Sequence, residues 1–183
     1  IEAPNAAVDP SESLSACLMV MDDNFRLPEW LAYNYFAMNL RHLVILSDPA
    51  SRESPTKTLD PWREYITIEE WTEEDYFDKA LRLRTLELKG VKNPSPDESH
   101  HNLLERQSKF IKSCSVHLQK QNRTWVSFHD IDEYYVINGD IVKGTKQRME
   151  EPGSIIKLIN ELQEIGPSSL QSKSDLVLPE EYT

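Results

Sequence analysis

The sequence predicts an α/β fold with a mostly parallel central sheet flanked by helices, and three observations carry that prediction. Short apolar runs recur along the chain, at ACLMVM (16–21), HLVIL (42–46) and TWVSF (124–128), and each gives way to acidic or turn-forming residues. Between them, apolar residues return every three or four positions, the period of a helix packed on one side. A strand, a helix and a further strand in that order make a parallel βαβ unit. Its strands are covered on both faces and so read as continuous apolar runs.

Taken in order, residues 1–13 carry Pro4, Pro10 and three acids with little apolar content, the composition of a linker or stem. One domain is expected over 14–183. The first strand, 16–21, is broken by Asp22-Asp23-Asn24. Leu27, Trp30, Leu31, Asn34 and Met38 then share a stripe, with Pro28 in the first turn, and predict a helix over 27–40. The second strand, 42–46, stops at Ser47-Asp48-Pro49. Residues 49–58 read as loop, Pro61–Tyr65 as a short helix and Ile66–Ile68 as a third strand. The acidic stretch from Glu69 to Asp78 reads as solvated surface, and Gly90–His101, rich in Pro, Ser and Asp, as a loop. A long helix is expected over 102–121, with Leu103, Gln107, Phe110, Ile111, Cys114 and Leu118 on one stripe and Gln107 its polar exception. After the strand at 124–128, Tyr134–Asn138 looks strand-like. A helix over 154–165 follows, with Ile155, Ile156, Leu158, Ile159 and Leu162 facing inward, started by Pro152-Gly153-Ser154 and stopped by Gly166-Pro167. Leu176–Leu178 is a candidate last strand.

Composition narrows the partners. The 183 residues suffice for one domain with a core, and 31 acids against 20 bases give a formal net charge of -11. That charge repels nucleic acid and anionic lipid. No apolar run reaches the roughly 18 residues a membrane span needs, so no membrane contact is expected from this segment itself. Cys17 and Cys114 lack metal-ligand spacing and are expected to be buried free thiols in preference to a disulfide. Asn122-Arg123-Thr124 fits the N-glycosylation sequon and permits a secretory location. A start on Ile1 and a stop at Thr183 suggest a piece of a longer, C-terminally truncated chain.

The chemistry concentrates at Asp130-Ile131-Asp132. In an extended segment Asp130 and Asp132 share a face, roughly 7 Å apart, while Ile131 turns to the core. One carboxylate can ligate a hard cation directly; the other can act through water or accept from a ribose hydroxyl. Mg²⁺ or Mn²⁺ suits such oxygen ligands and takes substrate phosphates as the remainder. The triplet follows a buried strand, at the carboxyl edge where open α/β sheets bind ligands. Asp48 ends the second strand at the same edge, where it either accepts from a base or ribose or makes a turn with Pro49. Gln107, near the start of a crossover helix, returns to that edge and either meets a diphosphate or caps backbone. Asn34 reads as a satisfied buried amide, and His100-His101 with Asp97 and Glu98 as solvated loop. No P-loop, nucleophile elbow or Rossmann glycine pattern occurs.

Three blocks, CLMVMDDNFRLPEWLAYNY, HLVILSD and ERQSKFIKSCSVHLQKQNRTWVSFHDIDEYYVI, together span residues 17–137. In order and spacing they resemble the GT-A glycosyltransferases, in particular the family 92 type. The resemblance implies a GT-A-like nucleotide-diphospho-sugar transferase fold in which Asp130 and Asp132 bind Mn²⁺ (or Mg²⁺) and the donor. It further implies that Asp48 helps hold the nucleoside and that Arg106 and Gln107 approach the donor. Family members are inverting hexosyltransferases, many using UDP-galactose, and are typically Golgi type II membrane proteins acting on glycans. A UDP-sugar donor, a glycan or glycoconjugate acceptor and a Golgi or other secretory-pathway lumen are thus expected, with the anchor outside this chain. The sequence departs from relatives at Asn34, where many have His, and at Tyr134, where many have Phe. Glu133 is expected to support the metal ligands from behind, and no residue is assigned as catalytic base. A metal-dependent phosphohydrolase, which would show more ligating acids and histidines, and a non-catalytic nucleotide-sugar-binding fragment are the alternatives.

Overall fold

The computed structural model describes residues 12–76, 96–136 and 153–165. Strands β1 (Leu14–Val20), β2 (Leu40–Ser47), β3 (Thr67–Trp71) and β4 (Trp125–Ser127) form a four-stranded sheet in the order β3-β2-β1-β4. Every pairing is parallel, so the expected α/β architecture is present. Helix α1 (Leu27–Ala37) links β1 to β2; α2 (Thr56–Leu59) and a 3₁₀ turn (Asp60–Trp62) lead into β3. Helices α3 (Glu73–Tyr76), α4 (Pro96–Lys120) and α5 (Ser154–Ile165) complete the described elements. None of the described helices is long and apolar enough to cross a membrane.

Strand alternation builds two cores. On one face Leu14, Ala16, Leu18 and Val20 of β1 meet Leu43 and Ile45 of β2, covered by Leu27, Trp30 and Leu31 of α1 and by Ile155 and Ile156 of α5. On the other, Cys17 of β1 and Val44 and Leu46 of β2 meet Phe110, Cys114 and Leu118 of α4 and Tyr76 of α3. Burial on both faces explains why β1 and β2 read as unbroken apolar runs. Each fully buried Leu or Ile contributes roughly 1.5–3 kcal/mol relative to an exposed one. Helix α5 matches its predicted span, and Ile155, Ile156 and Leu158 are buried as expected. It is anchored to β4 by Trp125 Nε1, which donates to Asn160 Oδ1 at 3.0 Å. Its start needs a glycine: Gly153 has φ +72°, donates its N–H to Phe36 O at 2.7 Å and approaches Asn39 closely.

Several expectations are corrected. Helix α1 ends at Ala37 rather than residue 40, because Asn39 adopts the left-handed conformation (φ 56°) that terminates helices. The short helix precedes Pro61–Tyr65, at Thr56–Leu59, with the 3₁₀ turn after it. Residues 96–101 belong to α4 and not to a loop; proline followed by Asp97 and Glu98 suits a first helical turn. The side chains of His100 and His101 lie outside the described residues, as do residues 77–95, Leu176–Leu178 and the side chain of Leu162. Tyr134–Val136 is not a strand, while Ile137 and Asn138 fall outside the description.

Strand β3 runs to Trp71, so Glu69 and Glu70 are strand residues rather than free surface. Glu70 is engaged by Arg63 and by Thr56 Oγ1, and Glu69 by histidines of β2 and α4. Finally, Cys17 and Cys114 are not free thiols: they form a disulfide between β1 and α4, with Cα atoms 6.2 Å apart and 97 positions between them in sequence. Only the packing of α4 on the sheet brings them together, so spacing carried no signal.

Candidate functional site

The carboxyl ends of β1, β2 and β4 open onto one cleft of about 270 Å³, lined by Met19, Val20, Met21, Asp23, Arg26, Asp48, Leu103, Gln107, Asp130, Ile131 and Asp132. A second hollow of about 180 Å³ shares Met19, Gln107 and Asp130 with it and extends towards Phe110, His129 and Glu133. The topology explains this convergence. In a parallel sheet successive strands end at one edge, so the loops after β1, β2 and β4 meet there.

Asp130 and Asp132 stand in the loop beyond β4, not on an extended strand as expected. The chain turns: Glu133 N–H donates to Asp130 O, and the Glu133 carboxylate accepts from Asp130 N–H, both at 3.0 Å. This reciprocal pair curls the backbone so that both aspartates line the same cleft, a result the sequence reading reached by a different geometry. Ile131 is buried in the core shared with α1 and α5, as expected, and pins the turn from below. His129 secures its entry. It stacks on Trp30 at 5.0 Å, meets Tyr135 edge-on at 4.9 Å and shares a hydrogen bond with Ser127 Oγ. Burial pushes its pKa down, which favours a neutral ring.

The electrostatics around the two aspartates are lopsided. Partial burial, then the neighbouring charges of Glu133 and Asp132, push the Asp130 carboxyl above its ordinary range. Asp132 is exposed and meets Arg26 Nη1 at 3.1 Å. Among the described residues no group of three or more His, Cys, Asp or Glu side chains is arranged to hold a metal. Of the carboxylates lining the cleft, Asp48 is committed to Ala50 and Arg106, which leaves Asp23, Asp130 and Asp132 as the oxygen donors that a hard cation could use.

Asp48 sits at the end of β2, and its side chain is fully buried. Its Oδ1 accepts from Ala50 N–H at 2.7 Å, closing a turn, and its Oδ2 accepts from Arg106 Nη2 at 2.6 Å. It thus makes the turn beside Pro49 and also holds a buried guanidinium at the floor of the site. Arg106 and Gln107 lie at adjacent positions on α4: Arg106 is buried against Asp48, whereas Gln107 faces both hollows. The Arg106 Nε–H is buried with no protein acceptor among the described residues. Asn34 is the satisfied amide expected of it, donating to Trp30 O at 2.9 Å.

Sequence reasoning missed Arg26 and Asp23. Both lie in the loop between the first apolar run and the first helix, at the carboxyl edge that Asp48 and Asp130 already marked. That loop position was the signal that could have found them. A larger groove of about 720 Å³ lies elsewhere, beside β3 and α4 and lined by Trp71, Tyr76, Lys112 and His117 among others. It contains none of the metal- or donor-binding candidates named from sequence.

Compared with known proteins, the chain matches no family model, no curated protein and no solved structure at a significant level.

Proposed function

We propose that this chain is the donor-binding domain of a metal-dependent glycosyltransferase of GT-A-like fold, transferring a sugar from a nucleotide-diphospho-sugar, with a UDP-sugar favoured, to a glycan or other hydroxyl acceptor with inversion. The observation that carries the reading is the meeting of Asp130, Asp132, Asp48 and Gln107 around one cleft at the carboxyl edge of a parallel sheet. The resemblance of the surrounding sequence blocks to family 92 enzymes adds the substrate class.

In this reading Asp130 and Asp132 hold Mn²⁺ or Mg²⁺, which supplies charge neutralisation for the departing nucleoside diphosphate. The charge crowding at Asp130 fits such a partner, because a cation relieves the repulsion from Glu133 and Asp132. Glu133 fixes the turn that presents both carboxylates, acting from behind the ligands. The Asp48–Arg106 pair shapes the floor near the nucleoside, and Gln107 offers an amide to the phosphates. A secretory-pathway lumen, such as the Golgi, is supported by the Cys17–Cys114 disulfide and by the sequon at Asn122, an exposed residue in the turn after α4.

The test is calorimetric titration of a UDP-sugar with and without Mn²⁺. The unmodified chain should bind in a Mn²⁺-dependent manner, and Asp132→Asn should abolish that dependence. Undiminished binding by Asp132→Asn removes the metal assignment. Binding without any transfer to glycan acceptors favours a non-catalytic nucleotide-sugar-binding domain instead.

A further inference from the structure

Arg26 is the cationic side chain on the cleft wall, and it sits across from the aspartates. Its Nη1 lies 3.1 Å from Asp132 Oδ2, with the two side chains 42% and 63% exposed. Ion pairs this open to water are weak and readily exchanged. The backbone of Arg26 is fixed where its side chain is not: its N–H donates to Asp23 O at 2.9 Å, and its carbonyl accepts from Trp30 N–H at 3.1 Å, opening α1. Arg26 is the N-cap residue of this eleven-residue helix, and no side chain caps the helix start. The cleft wall therefore carries a guanidinium in direct contact with the Asp132 carboxylate, on a backbone fixed by the start of α1.

We infer that Arg26 is an exchangeable counter-charge. It neutralises Asp132 while the cleft is empty, and on loading it yields that carboxylate to the divalent cation and turns to the donor's diphosphate. The inference rests on the donor-site reading above and adds to it a residue that reading does not use. A long, exposed arginine can swing between the two positions without moving the backbone, and its planar fork suits phosphate oxygens. Cation and arginine compete for Asp132 in the absence of nucleotide and cooperate once the diphosphate is present.

That competition gives opposite signs in two binding measurements on the full chain. With Mn²⁺ alone as probe, followed by the electron paramagnetic resonance of the free ion, Arg26→Ala should bind about two- to five-fold more tightly than the unmodified protein, since a weak surface pair no longer opposes the metal. With UDP as probe at saturating Mn²⁺, the same variant should bind at least about ten-fold more weakly, the loss expected of a charged hydrogen-bonding partner. Arg26→Lys, which keeps the charge but not the fork, should bind UDP more tightly than Arg26→Ala and more weakly than the unmodified chain. If Arg26→Ala weakens both affinities, or changes neither, the exchange is overturned while the donor-site reading stands. If the unmodified chain binds neither Mn²⁺ nor UDP, that reading fails and the exchange fails with it.

Discussion

At the scale of single residues, the site depends on charges that the fold has already committed. Asp48 and Arg106 are buried together, their side chains 0% and 9% exposed, so each is the other's replacement for water. Removing one partner of a buried pair leaves the other uncompensated, which is far costlier than losing a surface pair. Asp48→Asn keeps the shape and removes the charge. It should lower unfolding stability in urea by about 3–5 kcal/mol; a loss below about 1 kcal/mol would show that the pair is effectively solvated. Ile131 works in the opposite medium. Its burial between two exposed aspartates turns an ordinary acidic triplet into a fixed loop, and that much was legible from its place between two apolar runs. The turn made with Glu133 was not legible, because it depends on a side chain folding back onto its own backbone.

At the scale of elements, edge strand β3 is tied down by one carboxylate. Glu69 accepts from His42 Nε2 of β2 at 2.6 Å, from His117 Nε2 of α4 at 2.8 Å and from Gln121 Nε2 at 3.3 Å. Burial alone would raise its pKa, but these hydrogen bonds outweigh burial and hold it at about 2 against an ordinary 4.5. A depressed carboxyl pKa stabilises the fold fully above the unfolded value and loses that effect as pH falls through the folded one. The stability advantage of the unmodified protein over Glu69→Gln should therefore shrink steadily as pH falls from about 4.5 towards 2, as read from urea midpoints across that range. An advantage that grew on acidification would contradict the assignment. The same network explains why β3 was under-read. Acidic residues signal surface unless their partners are known, and His42 and His117 are 27 and 48 positions away. Elements whose cause is local, such as the apolar runs of β1 and β2 and the stripe of α5, were legible almost to their ends. The start of α4 was not, because proline and acids serve loops and first helical turns alike.

At the scale of the whole molecule, the two core layers are joined through the sheet, and the Cys17–Cys114 disulfide ties α4 to its central region. The bond closes a separation of 97 residues, so its loss should enlarge the unfolded ensemble considerably. Replacing both cysteines with serine should cost about 2–5 kcal/mol of unfolding stability, and added reductant should lower the melting temperature of the unmodified chain but not of the variant. Because α4 also carries Arg106 and Gln107, this tether fixes the floor of the cleft against β1. The cleft so held, with Asp130 and Asp132 at its rim, is proposed to take a divalent cation together with a nucleoside diphosphate. Its most direct test is the melting temperature of the unmodified chain with UDP, with Mn²⁺ and with both. A ligand at about one hundred times its Kd adds roughly 2.7 kcal/mol, which for a chain of this size corresponds to a rise of about 5–10 °C. That rise is expected with UDP and Mn²⁺ together and far less with either alone; equal shifts with and without the metal, or no shift with both, would contradict joint binding in this cleft.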